Sequence, residues 1–179
     1  IYNYEKLRDT HLRDVRFSTH SDTEVLANLI EKYGVAKSLS LLEGMFAFIG
    51  IDHARHHYFM ARDLMGIKPL YFSEGHQCIL TASEIKAFPR ESGPIQELPS
   101  QHFFDSQDGM IKWNQSFQDT GESLRTLISL SVEEQVNTCL PIAVFLSGGI
   151  DSAIICYEAN QHHRDVTAFS IGKADSSDM

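Results

Sequence analysis

A chain of 179 residues with 42% hydrophobic residues is long enough for one domain or two small ones with a buried core. Nucleic acids and anionic membranes are bound through basic surfaces, so the formal net charge of -9 argues against both as partners. The apolar runs are shorter than the roughly 20 residues that cross a bilayer. We therefore expect a cytoplasmic protein that does not associate with membranes.

The first part of the chain predicts helices followed by antiparallel strands. The segment "YNYEKLRDTHL", residues 2–12, predicts a short helix. A second helix is predicted in "SDTEVLANLIEKYG", where Ser21 and Glu24 form an S-x-x-E capping box and Gly34 ends the helix. From Met45 onward, short aromatic runs separated by turn residues predict strands. These runs are "MFAFIGID", "HYFMARD", "PLYFS", "CILTASE" and the hairpin of "QHFFD" and "MIKWN" around Asp108-Gly109.

Histidine and cysteine residues within this sequence do not predict a metal site or a disulfide framework. The segment "DHARHHYF" lies between two strand-like runs, so we interpret it as a solvated hairpin turn and not as a zinc site. Cys78, Cys139 and Cys156 form no CxxC pair and are odd in number, which is typical of a reducing compartment. We expect these cysteines to be buried as small hydrophobic residues.

The polar residues 115–121 contain no apolar pattern and predict a linker between a first domain, residues 1–114, and a second, residues 122–179. Beyond the linker, helical spacing over residues 124–136 is followed by "IAVFL", a run typical of a strand buried on both faces of a parallel sheet. A helix from about Asp151 to Asn160 and a second run, "VTAFSI", complete one βαβ unit. The sequence thus predicts an antiparallel α+β domain followed by the beginning of a parallel α/β domain.

The segment "PIAVFLSGGIDSAII", residues 141–155, places two glycines, two serines and an acid after the first strand of this unit. A turn from a parallel strand into a helix presents unpaired backbone N–H groups and the positive end of the helix dipole. Gly148 and Gly149 would let an anion approach closely, and Ser147 and Ser152 could add hydroxyl donors. The alternative is a tight turn without a ligand, because glycine pairs at strand ends are common.

This loop lacks the lysine of the Walker pattern and does not match G-x-G-x-x-G. Asp151 occupies a position where its negative charge would repel a phosphate group unless a divalent cation bridges the two. The loop therefore predicts a phosphate or pyrophosphate site that uses Mg²⁺.

The residues resemble those of a known enzyme family. "FLSGGIDSA" is similar to the Ser-Gly-Gly-x-Asp-Ser loop of ATP pyrophosphatases, which split ATP between the α and β phosphates and hold the pyrophosphate in this loop. Five further segments resemble, in order and spacing, the glutamine amidotransferase domain of glutamine-hydrolysing asparagine synthetases. They are "IYNYEKLR", "SDTEVL", "LLEGMFAFIGID", "ARDLMGIKPLYF" and "TASEIKAF". The resemblance extends over nearly the whole chain.

This resemblance implies an incomplete Ntn-hydrolase-like αββα sandwich followed by the start of a Rossmann-like ATP pyrophosphatase domain, and hence an internal fragment. The implied reaction uses ATP and Mg²⁺ to adenylate aspartate, and ammonia from glutamine then gives asparagine, AMP and pyrophosphate. The implied partners are glutamine, aspartate and ATP, and a homodimer is allowed. Two alternatives stay open: a related amidotransferase with another acceptor, and a non-catalytic nucleotide-binding remnant.

The resemblance also implies roles for individual residues. Asp22 corresponds to the acid that holds the α-amino group of glutamine, although an acid in the first turn of a helix is favourable without any ligand. Leu146 and Ile171 match positions that flank the adenosine, where core packing would explain them equally well. The pyrophosphate loop corresponds to Ser147, Gly148, Gly149, Asp151 and Ser152, with Asp151 near Mg²⁺.

No residue of this chain is assigned a catalytic role. The nucleophile of the family is an N-terminal cysteine whose own amino group can serve as the base. The chain begins with Ile1 and its cysteines are internal, so we expect no glutaminase activity from these 179 residues alone. In "ARDLMGIKPLYF" we interpret Gly66 and Pro69 as turn formers and the charged residues as buried or interfacial polar contacts.

Overall fold

The computed structural model describes residues 1–75, 78–115 and 120–172. The chain divides into two compact units, Ile1–Phe117 (unit 1) and Gln118–Met179 (unit 2). Most of the predicted linker, residues 115–121, lies outside the described residues. No helix in the described ranges is long and apolar enough to cross a membrane.

Unit 1 contains three helices and two antiparallel sheets within its described residues. The helices are α1 (Tyr4–His11), α2 (Asp22–Tyr33) and α3 (Val35–Leu39). The strands are β1 (Ala47–Asp52), β2 (His57–Arg62), β3 (Tyr71–Glu74), β4 (Ile79–Ala82), β5 (Gln96–Glu97), β6 (His102–Asp105) and β7 (Gly109–Lys112), and a 3₁₀ turn spans Ile85–Ala87. One sheet has the order β1-β2-β6-β7 and the other has the order β4-β3-β5.

Successive side chains of β2 point to opposite faces, and this alternation places the β1-β2-β6-β7 sheet between the helices and the β4-β3-β5 sheet. Phe59 and Ala61 face the helices, in the cluster that contains Leu29 and Leu39. Met60, between them, packs against the second sheet. The layers of unit 1 therefore run helices, sheet, sheet, which agrees with the α+β domain predicted from the sequence.

Helix α2 begins and ends where the sequence predicts. Ser21 is the N-cap, and its Oγ accepts a hydrogen bond from the Thr23 N–H at 3.2 Å. Gly34 ends the helix with a φ of 77°, and its N–H donates to Ile30 O. A capping box also requires the Glu24 carboxylate to accept a hydrogen bond from the Ser21 N–H. This part of the prediction is wrong, because the carboxylate binds residues before Ser21 instead.

The histidine-rich segment forms the turn between β1 and β2, as predicted. His53 and His56 are exposed there, and His57 lies 2.9 Å from Asp105 Oδ2. Among the described residues, no group of three or more His, Cys, Asp or Glu side chains could hold a metal ion. The expected burial of the cysteines is wrong: Cys78 and Cys139 lie outside helices and strands and are exposed, and Cys156 is half-buried.

Unit 2 contains α4 (Leu124–Gln135), β8 (Ile142–Phe145), α5 (Ile150–His162) and β9 (Val166–Phe169). Strands β8 and β9 pair in parallel, so the predicted βαβ unit is confirmed. The expectation that "IAVFL" is buried on both faces is wrong for the described residues. The helices cover one face, where Val144 is buried, but Phe145 is 80% exposed on the other face.

Candidate functional site

The predicted phosphate loop follows β8 and lies at the carboxyl ends of both strands of unit 2. Leu146 N–H donates to Phe169 O at 2.8 Å, and Ser170 Oγ donates to Leu146 O at 2.7 Å. These bonds bring Leu146 and Ile171 to the same edge of the sheet. Ile171 is 97% exposed among the described residues. Ser170 was missed by the sequence reasoning, although its place in "VTAFSI" beside Ile171 was a usable signal.

The backbone of the loop turns sharply before α5. Gly148 has a φ of 85°, in the left-handed region that favours glycine, and Gly149 is the N-cap of α5. The first intrahelical bond runs from Ala153 N–H to Gly149 O at 3.1 Å. No side chain of the described loop caps this helix end. The amides of the first turn of α5 therefore face the space above β8, where an anion could accept their hydrogen bonds.

The two loop serines bind each other. Ser152 Oγ accepts a hydrogen bond from Ser147 N–H at 3.2 Å and lies 3.1 Å from Ser147 Oγ. The same Ser152 hydroxyl donates to Gly149 O at 2.9 Å. The structure thus brings together the four predicted small residues of the loop. Binding of an anion by the Ser152 hydroxyl would require this hydroxyl to release Gly149 O.

Asp151 lies in the first turn of α5 and is exposed. Its charge is favourable at a helix N-terminus even without a ligand. No cluster of three or more possible metal-binding side chains exists in the described part of unit 2. A Mg²⁺ ion beside Asp151 would therefore complete its coordination with phosphate oxygens and water, which is usual for this ion. The residues present fit such a site.

Asp22 lies in unit 1, at the first residue of α2. Its side chain is 41% exposed, and Oδ2 lies 2.8 Å from the amino nitrogen of Ile1. A partly exposed carboxylate at a helix N-terminus can bind a cationic group.

Glu24 orders the segment immediately before Asp22. Its carboxylate accepts hydrogen bonds from Ser18 N–H at 2.8 Å, from Thr19 N–H at 2.7 Å and from Thr19 Oγ1 at 2.5 Å. The bond from Ser18 is the main cause that lowers the pKa of Glu24, followed by the bond from Thr19 Oγ1. The sequence reasoning missed this role because it assigned the carboxylate to a capping box.

We expect Glu24→Gln to destabilise unit 1 more at pH 7 than at pH 3. The pKa of Glu24 is lower in the folded chain than in the unfolded chain, so its stabilising effect is present above the unfolded value of about 4.3. The effect is lost as the pH falls through the folded value. Urea unfolding at both pH values measures this difference. Glu31→Gln, at an exposed position of the same helix, is the control and should change little. A pH-independent effect of Glu24→Gln would contradict the assignment.

A groove of about 960 Å³ also lies in unit 1, between α2 and the β1-β2-β6-β7 sheet. Its walls include Phe48 and Phe59, with His57 and Asp105 among its polar lining residues. Burial raises the pKa of Asp105, but the bonds from Gln107 N–H and from His57 outweigh burial and lower it. Asp22 does not line this groove. Its neighbour Thr23 does line the groove, so the groove begins beside the predicted glutamine contact.

Two family models match the chain. The model described as glutamine amidotransferase domain matches residues 1–126, and the model described as asparagine synthase matches residues 123–179. Both matches agree with the resemblance drawn from the sequence motifs.

Curated relatives are asparagine synthetases. Glutamine-hydrolysing asparagine synthetase 2 of Arabidopsis thaliana is 34% identical over 173 residues, which cover 90% of this chain and 30% of the relative. Glutamine-hydrolysing asparagine synthetase B of Escherichia coli strain K12 is 36% identical over 168 residues, which cover 87% of this chain and 30% of the relative. The chain thus spans about 30% of the length of these curated relatives.

A solved structure shares the fold. Glutamine phosphoribosylpyrophosphate amidotransferase from B. subtilis, complexed with ADP and GMP, matches with a TM-score of 0.56 and 20% sequence identity. The match covers 94% of this chain and 43% of that chain. Together with the two family models, this likeness confirms the predicted fold class, an Ntn-type amidotransferase domain followed by the start of an α/β synthetase domain.

Proposed function

Because the chain belongs to the family of glutamine amidotransferase domains, we propose that it forms part of an enzyme that makes asparagine from aspartate. In this reaction ATP adenylates the aspartate side chain, and ammonia from glutamine hydrolysis displaces AMP. A carboxylate is a poor electrophile until such a leaving group is attached, so one part must supply ammonia and another must activate the acid. The order of the two family matches supports this division.

The observation that carries the proposal is the Ser-Gly-Gly-x-Asp-Ser loop between a parallel strand and the N-terminus of α5. The first-turn amides and the hydroxyls of Ser147 and Ser152 bind the pyrophosphate part of ATP. Gly148 and Gly149 let the phosphate oxygens approach the backbone, since neither carries a side chain. Leu146 and Ile171 flank the adenosine at the ends of β8 and β9.

Asp151 would hold Mg²⁺ beside the pyrophosphate loop. The ion, when bound, would neutralise the charge on the phosphates and so favour the departure of pyrophosphate. The protein residues do the positioning: the helix end binds the phosphates, and Asp151 sets the place of the cation beside them. This role explains why an acid stands in an anion-binding loop.

In unit 1, Asp22 binds the α-ammonium group of glutamine. The proposal is supported by its partly exposed carboxylate at the N-terminus of α2. We also propose the domain boundary at residues 115–121, which is supported by the division of the chain into two units in this region. A cytoplasmic location and a homodimer are further parts of the proposal.

Aspartate-dependent exchange between ATP and labelled pyrophosphate tests this function in the product of the natural gene. We expect exchange with aspartate and Mg²⁺ and none with glutamate or β-alanine in its place. The Asp151→Asn variant should lose most of the exchange because Mg²⁺ is held less well. Exchange with another acid would favour a related amidotransferase. ATP binding without any exchange would contradict the synthetase function and favour the non-catalytic alternative.

A further inference from the structure

A cluster of polar side chains outside the proposed pyrophosphate site joins the two helices of unit 2. Ser129 Oγ, on α4, donates a hydrogen bond to Glu158 Oε2 at 2.7 Å and lies 2.9 Å from His162 Nε2. Glu158 and His162 are both on α5, one turn apart. We call these three residues the helix clamp. Glu158 is only 7% exposed, so an acid is buried between the helices.

The geometry of the clamp excludes a nucleophilic triad. In such a triad the acid binds the imidazole nitrogen that does not face the serine. Here Glu158 Oε2 lies 3.8 Å from Nε2, the same nitrogen that faces Ser129. The single hydroxyl proton of Ser129 goes to Glu158, so the N–H of His162 donates to Ser129 Oγ. The clamp is a chain of hydrogen bonds that ends on a buried carboxylate.

Among the described residues, α5 contributes only small side chains to the apolar cluster of unit 2. Ala159 is buried and Cys156 is partly buried against α4 and β8. The larger apolar side chains of α5 are exposed instead, as Ile150 at 75% and Tyr157 at 55% illustrate. Small side chains leave a helix free to rotate about its axis, since few interlocking contacts oppose the rotation. A buried hydrogen-bond network restricts such rotation.

The rotation of α5 determines the direction of the loop amides. The helix has 13 residues, so it is roughly 20 Å long at about 1.5 Å per residue. Its last two turns carry Glu158 and His162, and its first turn carries Asp151 and Ser152. A regular helix transmits a rotation along its length because its backbone hydrogen bonds keep it rigid.

We propose that the helix clamp orients α5 and thereby positions the amides and hydroxyls of the loop for the anion. Ser129 is then a positioning residue for the loop. This inference rests on the proposed function for the identity of the anion, which is pyrophosphate. The position of the loop itself can be measured without any ligand, so the two proposals can fail separately.

The experiment compares Ser129→Ala with the wild-type 179-residue chain. The first readout is the set of amide NMR resonances of residues 148–152 without ligand, and the second is the dissociation constant for pyrophosphate with Mg²⁺. We expect Ser129→Ala to shift these resonances and to weaken pyrophosphate binding roughly threefold to tenfold. Ser129→Thr keeps the hydroxyl and should restore both. Ser131→Ala removes an exposed hydroxyl of the same helix and should change neither.

A second variant covers the case in which Ser129→Ala does not fold. His162→Ala removes the donor at the end of α5 but leaves the bond between Ser129 and Glu158, so we expect smaller changes in the same direction. Unchanged loop resonances in a folded Ser129→Ala or His162→Ala chain would overturn the inference, whatever the wild type binds. The loop resonances could shift in Ser129→Ala while the wild-type chain binds no pyrophosphate. That result would support the positioning role of Ser129 and contradict the proposed function.

Discussion

Arg62→Ala is expected to destabilise unit 1 by about 3–4 kcal/mol, because charged hydrogen bonds to one buried and one partly buried carbonyl group are lost. The Arg62 side chain is 6% exposed. It donates to Glu97 Oε1 at 2.6 Å, to Leu98 O at 2.9 Å and to Gly66 O. These contacts join the end of β2 to β5 and to the turn that follows β2. Alanine would leave the two carbonyl groups without this donor and would open a cavity.

Urea unfolding followed by tryptophan fluorescence measures this effect. Trp113 is the single tryptophan of the chain and is 4% exposed in the core of unit 1. Arg90→Ala, at an exposed arginine of the same unit, is the control and should change stability by less than about 0.5 kcal/mol. An Arg62→Ala chain within about 1 kcal/mol of the wild type would show that the guanidinium does not hold these elements together.

Gly148→Ala is expected to weaken binding of pyrophosphate with Mg²⁺ at least about tenfold, which corresponds to about 1.4 kcal/mol. The φ of Gly148 is 85°, and a residue with a β-carbon in the left-handed region costs about 1–2 kcal/mol. The loop can relieve this strain by changing φ, which moves the amides that follow. Isothermal titration calorimetry measures the change in affinity.

Gly109→Ala is the matched control for this loop variant. Gly109 has a φ of 78° at the first residue of β7, directly after the turn from β6, and a β-carbon there would meet nothing within 4 Å. This variant carries similar backbone strain in unit 1 and should lower stability without changing the affinity for pyrophosphate. Equal loss of affinity in both variants would mean that the effect of Gly148→Ala is general destabilisation.

Elements with a regular apolar pattern could be predicted from the sequence, whereas short or polar elements could not. Helix α2 and the strands from β1 to β4 have aromatic or aliphatic residues at a clear period. Strand β5 is only Gln96–Glu97, and its pairing with β3 is a tertiary contact that no local pattern records. Helix α3 was missed because Gly34, which ends α2, also precedes it directly.

The same distinction applies to the candidate site. Two glycines and two serines beside an acid predict the loop, because glycine permits a tight turn and the N-terminus of the following helix can bind an anion. The helix clamp has no such signal, because Ser129 is 29 residues from Glu158 and 33 from His162. A glutamate on a helix is normally expected at the surface. Only the packing of α4 on α5 reveals that Glu158 is buried.

The most direct measurement of the central claim is a calorimetric titration of the 179-residue chain with pyrophosphate, with and without Mg²⁺. We predict one binding site per chain, tighter binding when Mg²⁺ is present, and a loss of binding in Ser152→Ala. No binding in either condition, or binding that neither Mg²⁺ nor Ser152→Ala changes, would contradict the assignment of this loop as a pyrophosphate site.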